Sequence, residues 1–216
     1  LLLATGAGLG LLHSFDADHI MAVSTLASEK PSIRRSIRFC VSWALGHGGV
    51  LITLGVLSFA LGIHIPESLS FWAEKIVGVM LIGLGGWLLY RLWMQHQLSI
   101  RVHHHGEITH AHLSEGKDHH PHTPVMVGIT HGLAGSAPAL ALIPAVSQGN
   151  ISLALSYIAL FSLGVMATMF LFGAALGTTQ SWLQRKSQWI FNMSRAIVAC
   201  LSIGMGGFWL SSSGAI

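Results

Sequence analysis

Four residues able to do chemistry fall within seven consecutive positions of an otherwise apolar stretch: His13, Asp16, Asp18 and His19, in Leu12-His-Ser-Phe-Asp-Ala-Asp-His-Ile20. Imidazole nitrogens and carboxylate oxygens together suit nickel, cobalt, zinc, iron and copper ions. No cysteine joins them, which argues against a copper(I) site. The histidines argue against calcium and magnesium, which prefer all-oxygen shells. At membrane depth each ionisable side chain costs at least about 2.5–3.5 kcal/mol on insertion scales. Four so close together need compensation, and a bound divalent cation supplies it. At about 100° per residue, His13, Asp16 and His19 share an arc of roughly 120° on one helical face, while Asp18 points away. Either Asp18 orients a histidine from behind, or the helix unwinds here, as transporter helices do at the midplane. Both stay open. The competing readings are a polar cluster that bridges helices and a metal-free proton relay. Mutual repulsion of two buried aspartates opposes the first.

Two further histidines sit among small residues. His47 lies in Ser42-Trp-Ala-Leu-Gly-His-Gly-Gly49, where a neighbouring backbone or an ion can approach closely. His131 lies in Thr130-His-Gly-Leu-Ala-Gly-Ser-Ala-Pro138, where Pro138 predicts a kink that frees carbonyls to line a cavity. For each, the plainer alternative is a satisfied core histidine in a packing seam. Nine histidines crowd the polar stretch between His96 and His122. Of these His103, His104, His105, His110, His112, His119, His120 and His122 are candidate loop metal ligands, with Glu107, Glu115 and Asp118 interspersed. The stretch is too polar to form a core. It reads as a metal-gathering or metal-sensing loop, or as a solvated tether.

The elements that must position these groups are membrane helices. Hydrophobic residues make up 52% of the 216, charged residues only 9%, and the mean hydropathy is +0.63. Soluble domains carry about 25% charged residues, so lipid is the expected solvent. Six apolar stretches reach the ~20 residues a span needs, at 1–27, 37–62, 70–93, 124–146, 151–178 and 188–211. No secretory signal pattern is visible. The ends after spans one, three and five hold Lys30, Arg34, Arg35, Arg38, Arg91, Arg101, Lys117, Arg185, Lys186 and Arg195, against Lys75 alone on the other side. By the positive-inside rule both termini face outside and the histidine-rich loop is cytoplasmic.

The two halves also resemble each other. Gly10-x-x-His13 recurs as Gly128-x-x-His131, Leu45-Gly46 as Leu163-Gly164, and Gly55 as Gly173, all 118 residues on. Ile82-Gly-Leu-Gly-Gly-Trp87 recurs as Ile203-Gly-Met-Gly-Gly-Phe208, 121 residues on. Three spans per half would insert the second half upside down, the plan of many secondary transporters. The expected fold is therefore an all-α membrane protein with six transmembrane helices as two inverted three-helix repeats. Residues 1–93 form the first repeat with the metal motif, 94–123 the cytoplasmic loop and 124–216 the second repeat. Asp16, Asp18 and His19 correspond to Ala134, Ser136 and Ala137, so the second half lacks the anionic ligands.

Several classes drop out. Cys40 and Cys200 have no CxxC partner, so disulfide, zinc-ribbon and thiol-redox chemistry have no support. No Walker A pattern is present. The net charge of +3 comes mostly from loops and does not imply nucleic acid. A histidine-box metalloenzyme, such as a di-iron desaturase, needs several boxes on one membrane face. Here His119-His120-Pro-His122 lies in a soluble loop, far from the first-span cluster.

His13-x4-Asp18-His19, followed by Leu45-Gly46-His47 and the His131–Ser136 run, resembles the nickel/cobalt transporter family, in particular its six-span UreH-like branch. The resemblance covers the transmembrane part and not the loop. It differs from the eight-span members in lacking an extra leading helix and in having Gly48 after the second-span histidine. The resemblance implies Ni2+ or Co2+ as transported substrate, held by His13, Asp18 and His19 with His47 assisting. It implies no enzyme activity and no resident cofactor. The expected partners are the divalent ion, the lipid bilayer, and a metallochaperone or a urease or hydrogenase maturation system, and no nucleic acid. The expected location is a bacterial inner membrane. Uptake is the expected direction, with efflux and the metalloenzyme as the alternatives.

Overall fold

The computed structural model describes residues 2–28, 32–60, 62, 67–100, 123–134 and 149–212. The described residues form helices and no strand: α1 Leu2–His13, α2 Ala17–Ala27, α3 Ile33–Ala60, α4 Glu67–Ile100, α5 Thr123–Leu133, α6 Ile151–Lys186 and α7 Gln188–Ser212. Four carry segments long and apolar enough to cross a bilayer, which takes about 20 residues: 27 residues of α3, 28 of α4, all 36 of α6 and all 25 of α7. Val79, Leu171 and Ile197 point outward, as lipid-facing side chains do. The chain is a multi-pass membrane protein.

The first apolar stretch does not form one helix. It breaks at Ser14–Asp16 into α1 and α2. The end of α1 closes with tight turns, in which the N–H of Phe15 donates to the Leu12 carbonyl and that of Asp16 to the His13 carbonyl, both at 3.0 Å. Asp16 then turns extended, at φ −57° and ψ 139°, and α2 starts at the next residue. Of the stretch expected over 124–146, α5 and Ala134 are described, and Pro138 lies outside the described residues. The predicted connection over 179–187 is instead helical through Lys186, with Ser187 alone between α6 and α7. Nothing there stops a helix, since the segment holds neither glycine nor proline. Gln180 keeps its side chain buried by donating to Ser28 Oγ at 2.5 Å.

Glycine sets how closely the helices meet. A side chain at Gly10 would collide with the carbonyl of Phe161, and one at Gly128 with the carbonyl of Trp43. Gly46 meets the Val125 carbonyl in the same way, and Gly164 that of Ala7. Both residues of each contact lie 118 positions from those of its counterpart. Gly78 in α4 and Gly206 in α7 face each other's carbonyls. Without a hydrophobic drive between helices in lipid, such close backbone approach is what holds a bundle together. The result packs α3 along α6, α1 against α6, α5 against α3 and α4 against α7.

These approaches leave no room for a methyl group, whereas a Cβ at Gly8, one half-turn from Gly10, would meet nothing within 4 Å. Gly10→Ala should therefore destabilise the bundle by about 1–3 kcal/mol through overpacking, while Gly8→Ala should be neutral or slightly stabilising. Thermal unfolding of the two variants in detergent checks this; equal midpoints would contradict the packing.

Candidate metal centre

Each cluster residue owes its place to a helix end or a glycine seam. His13 lies in the last turn of α1 and His131 in the last turn of α5. Helix C-termini carry partial negative charge on unsatisfied carbonyls, which favours cations. One turn hydrogen bond recurs at the two ends, Asp16 N–H to the His13 carbonyl at 3.0 Å and Ala134 N–H to the His131 carbonyl at 3.2 Å. Asp18 and His19 stand in the first turn of α2. His47 comes from the middle of α3, whose Gly46 lets α5 approach.

The break in the first stretch brings these side chains together. The ring centroids of His13 and His19 are 4.6 Å apart, those of His13 and His47 5.4 Å, and those of His19 and His47 5.3 Å. His131 joins from α5, 5.5 Å from His19. All four histidines are at most 3% exposed. One donor atom from each of His13, His19 and His47 lies within 4.8 Å of the others. Metal–imidazole bonds of about 2.1 Å keep donors on one ion within roughly 4.2 Å, so a small contraction would close them on a single cation. Asp16, Asp18 and His19 form a second such group.

The carboxylates stand behind the rings. Asp16 Oδ2 lies 2.9 Å from His13 Nδ1, and Asp18 Oδ1 lies 2.9 Å from His19 Nδ1. Asp18 also accepts the His19 backbone N–H at 2.9 Å. Asp16 takes the N-cap position of α2, yet its side chain makes no capping bond. His131 Nδ1 lies 2.9 Å from the Val127 carbonyl, which can only accept. In each case Nδ1 donates and Nε2 is the nitrogen left for a ligand. Among the described residues, His19 Nε2, His131 Nε2 and both ring nitrogens of His47 are buried without a hydrogen-bond partner. Buried polar atoms are normally satisfied, so this concentration of unsatisfied nitrogens fits a site that takes a ligand.

A cavity of about 230 Å³ reaches the cluster, lined by His13, Asp16, Asp18, His19, Met205 and Trp209 among others. The Asp16 side chain is 42% exposed, so the carboxylate marks the accessible side and His47 the deep one. Sequence reasoning passed over Met205 and Trp209, whose arrival from α7 no local motif announces. It also passed over Trp43, which stacks on His47 with centroids 5.1 Å apart. The four-residue spacing of Trp43 and His47 on one helical face could have shown it. Cys40 is buried, Cys200 is exposed and both are free. The loop histidines His103 to His122, with Ser136 and Ala137, lie outside the described residues.

A protein-family profile described as "Cytochrome C biogenesis protein transmembrane region" matches residues 9–204. The chain is 29% identical over 184 residues to a "Urease accessory protein UreH" of Bacillus sp. (strain TB-90), covering 82% of this chain and 76% of that protein. It is 27% identical over 169 residues to a "Putative nickel/cobalt efflux system" of Methanocaldococcus jannaschii, covering 74% of this chain and 69% of that protein. No solved structure matches the chain.

The geometry around the rings makes a prediction independent of any metal. In 15N spectra of histidine-labelled protein at neutral or higher pH, His19 and His131 should be Nδ1–H tautomers. Asp18→Asn should perturb the His19 signals more than those of His131. An Nε2–H tautomer at either residue would contradict the assigned roles.

Proposed function

The chain belongs to the family of the cytochrome c biogenesis protein transmembrane region and is a UreH-like relative of nickel/cobalt transport proteins, and from that premise we propose that it is a secondary transporter of Ni2+ or Co2+. The observation that carries the reading is the convergence of four buried imidazoles at the break in the first apolar stretch, with unsatisfied nitrogens among them. The ion is held by Nε2 of His13 and His19 and by His47, with His131 at the edge of the shell. Asp16 and Asp18 hold the rings of His13 and His19 in the ligating tautomer. Their two negative charges offset the divalent ion, so the loaded cluster costs less at membrane depth than the empty one. The ion enters from the cavity past Asp16 and exchanges its water for imidazole.

The architecture belongs to this proposal: six spans as two inverted three-helix repeats, 1–93 and 124–216, joined by the cytoplasmic segment 94–123, with both termini outside. It is supported by the recurrence at one offset of the Gly10–Phe161 and Gly128–Trp43 contacts and of the turns after His13 and His131. On this plan the ion sits where the halves meet, and rocking of one against the other exposes it to each side in turn. The loop histidines gather metal at the cytoplasmic mouth.

Uptake is the direction we propose, feeding a urease maturation system, in keeping with the name of the Bacillus relative. The name of the archaeal relative favours efflux as the second reading. Loss of urease activity on deleting the gene indicates import, and hypersensitivity to nickel indicates export.

Uptake or extrusion of radioactive nickel by cells making the protein tests the central claim. His13→Ala and Asp18→Ala should cut transport at least about tenfold, the range seen when a metal's ligands or their supports are lost. Normal transport by both variants would sink the reading. Ligation needs neutral imidazole, so protons compete with the metal. Nickel affinity should therefore fall as the solution is made more acid. Affinity that does not fall on acidification at any pH where the protein stays folded would contradict histidine ligation.

A further inference from the structure

Three of the four clustered imidazoles have a polar group fixing Nδ1: Asp16 for His13, Asp18 for His19 and the Val127 carbonyl for His131. His47 has none. Neither of its ring nitrogens finds a hydrogen-bond partner among the described residues, and the ring is completely buried. What it does have is Trp43, four residues earlier on α3. The two rings lie 5.1 Å apart with planes inclined by only 18°.

The same indole meets two more rings. His19 stands edge-on to it at 4.9 Å and 79°, and His131 at 5.7 Å and 62°. Trp43 is fully buried, and its carbonyl is the one that α5 crowds at Gly128. Neither its backbone nor its ring has space to wander. Buried tryptophans usually pair the indole N–H, yet Trp43 Nε1 has no partner among the described residues. The polar handle is not what holds this side chain in place, so its large flat face is the feature in use. At the 118-residue offset, Phe161 beside His13, at 5.5 Å and 34°, is the counterpart of Trp43 beside His131.

We propose that Trp43 is a positioning residue that sets the plane of His47 and its spacing from His19 and His131, so that the transported ion meets a preset group of nitrogens. This rests on the transport reading above. Stacking substitutes for the hydrogen bond that orients each of the other three histidines. An imidazole with no partner could turn about its terminal bond, and the ion would then have to order it on binding.

Calorimetric titration of the purified full chain in detergent with Ni2+ or Co2+ alone tests the assignment. Trp43→Leu should weaken binding about tenfold or more, within the range for lost orienting partners, and should alter the visible spectrum of bound Co2+. Trp43→Phe keeps a stacking face and should restore affinity to within about threefold. Both variants lose buried volume and should unfold at a lower temperature without metal, so the Co2+ spectrum is the readout that lost packing alone leaves unmoved. Wild-type affinity and an unchanged Co2+ spectrum in Trp43→Leu overturn the proposal. If that variant does not fold, 5-fluorotryptophan labelling decides. The fluorine signal missing from Trp43→Phe is that of Trp43, and bound paramagnetic Co2+ must shift or broaden it in the wild type. A signal indifferent to bound Co2+ overturns the proposal. Should the wild type bind neither metal, it is the transport reading that fails.

Discussion

Charge has to be compensated wherever it enters an apolar bundle, and this chain brings two carboxylates and four imidazoles to one place within its helices. The break at Ser14–Asp16 is the structural answer. An unbroken helix would turn Asp18 away from His13 and His19. With the chain bent there, Asp16 reaches His13 and Asp18 reaches His19, each at 2.9 Å. The negative charges are thus spent on orienting rings, and the rings turn their other nitrogens inward. The break also places His13 at a helix C-terminus, where carbonyls add to the attraction for a cation.

The rest of the bundle serves that convergence. Imidazoles from α1, α2, α3 and α5 can meet only if the helices come closer than side chains normally allow. Gly10, Gly46, Gly128 and Gly164 make this possible, each set against a neighbour's carbonyl. The same contacts seat Trp43 and Phe161, the two aromatic faces that lie over His47 and His13. From α7, Met205 and Trp209 complete the cavity wall beside Asp16. The cluster thus opens to a cavity beside Asp16 and is closed off by Trp43 at His47.

Much of this was legible in the residues themselves. The membrane class follows from 52% hydrophobic and 9% charged residues. His13, Asp16, Asp18, His19, His47 and His131 stood out because ionisable groups at membrane depth are expensive, and all six lie in one cluster. Helical geometry also exposed the conflict at Asp18, though it could not choose between a bent chain and a displaced carboxylate. The structure has both features at once. Trp43, Met205 and Trp209 were missed because aromatic and thioether side chains are everywhere in apolar helices, and tertiary contact alone sets these apart. The end of α6 was misplaced for a different reason. Polarity at Thr178–Lys186 signals an exit from lipid, but it does not stop a helix that lacks glycine and proline.

The central claim is that one divalent ion is held by histidines at the break in the first apolar stretch. Diffraction from nickel-soaked crystals at the nickel absorption edge tests it most directly. The account predicts a single strong anomalous peak about 2.1 Å from Nε2 of His13 and of His19 and from one nitrogen of His47, with Asp16 and Asp18 still on the far side of their rings. A peak elsewhere, or one coordinated only by carboxylate oxygen and water, would contradict it.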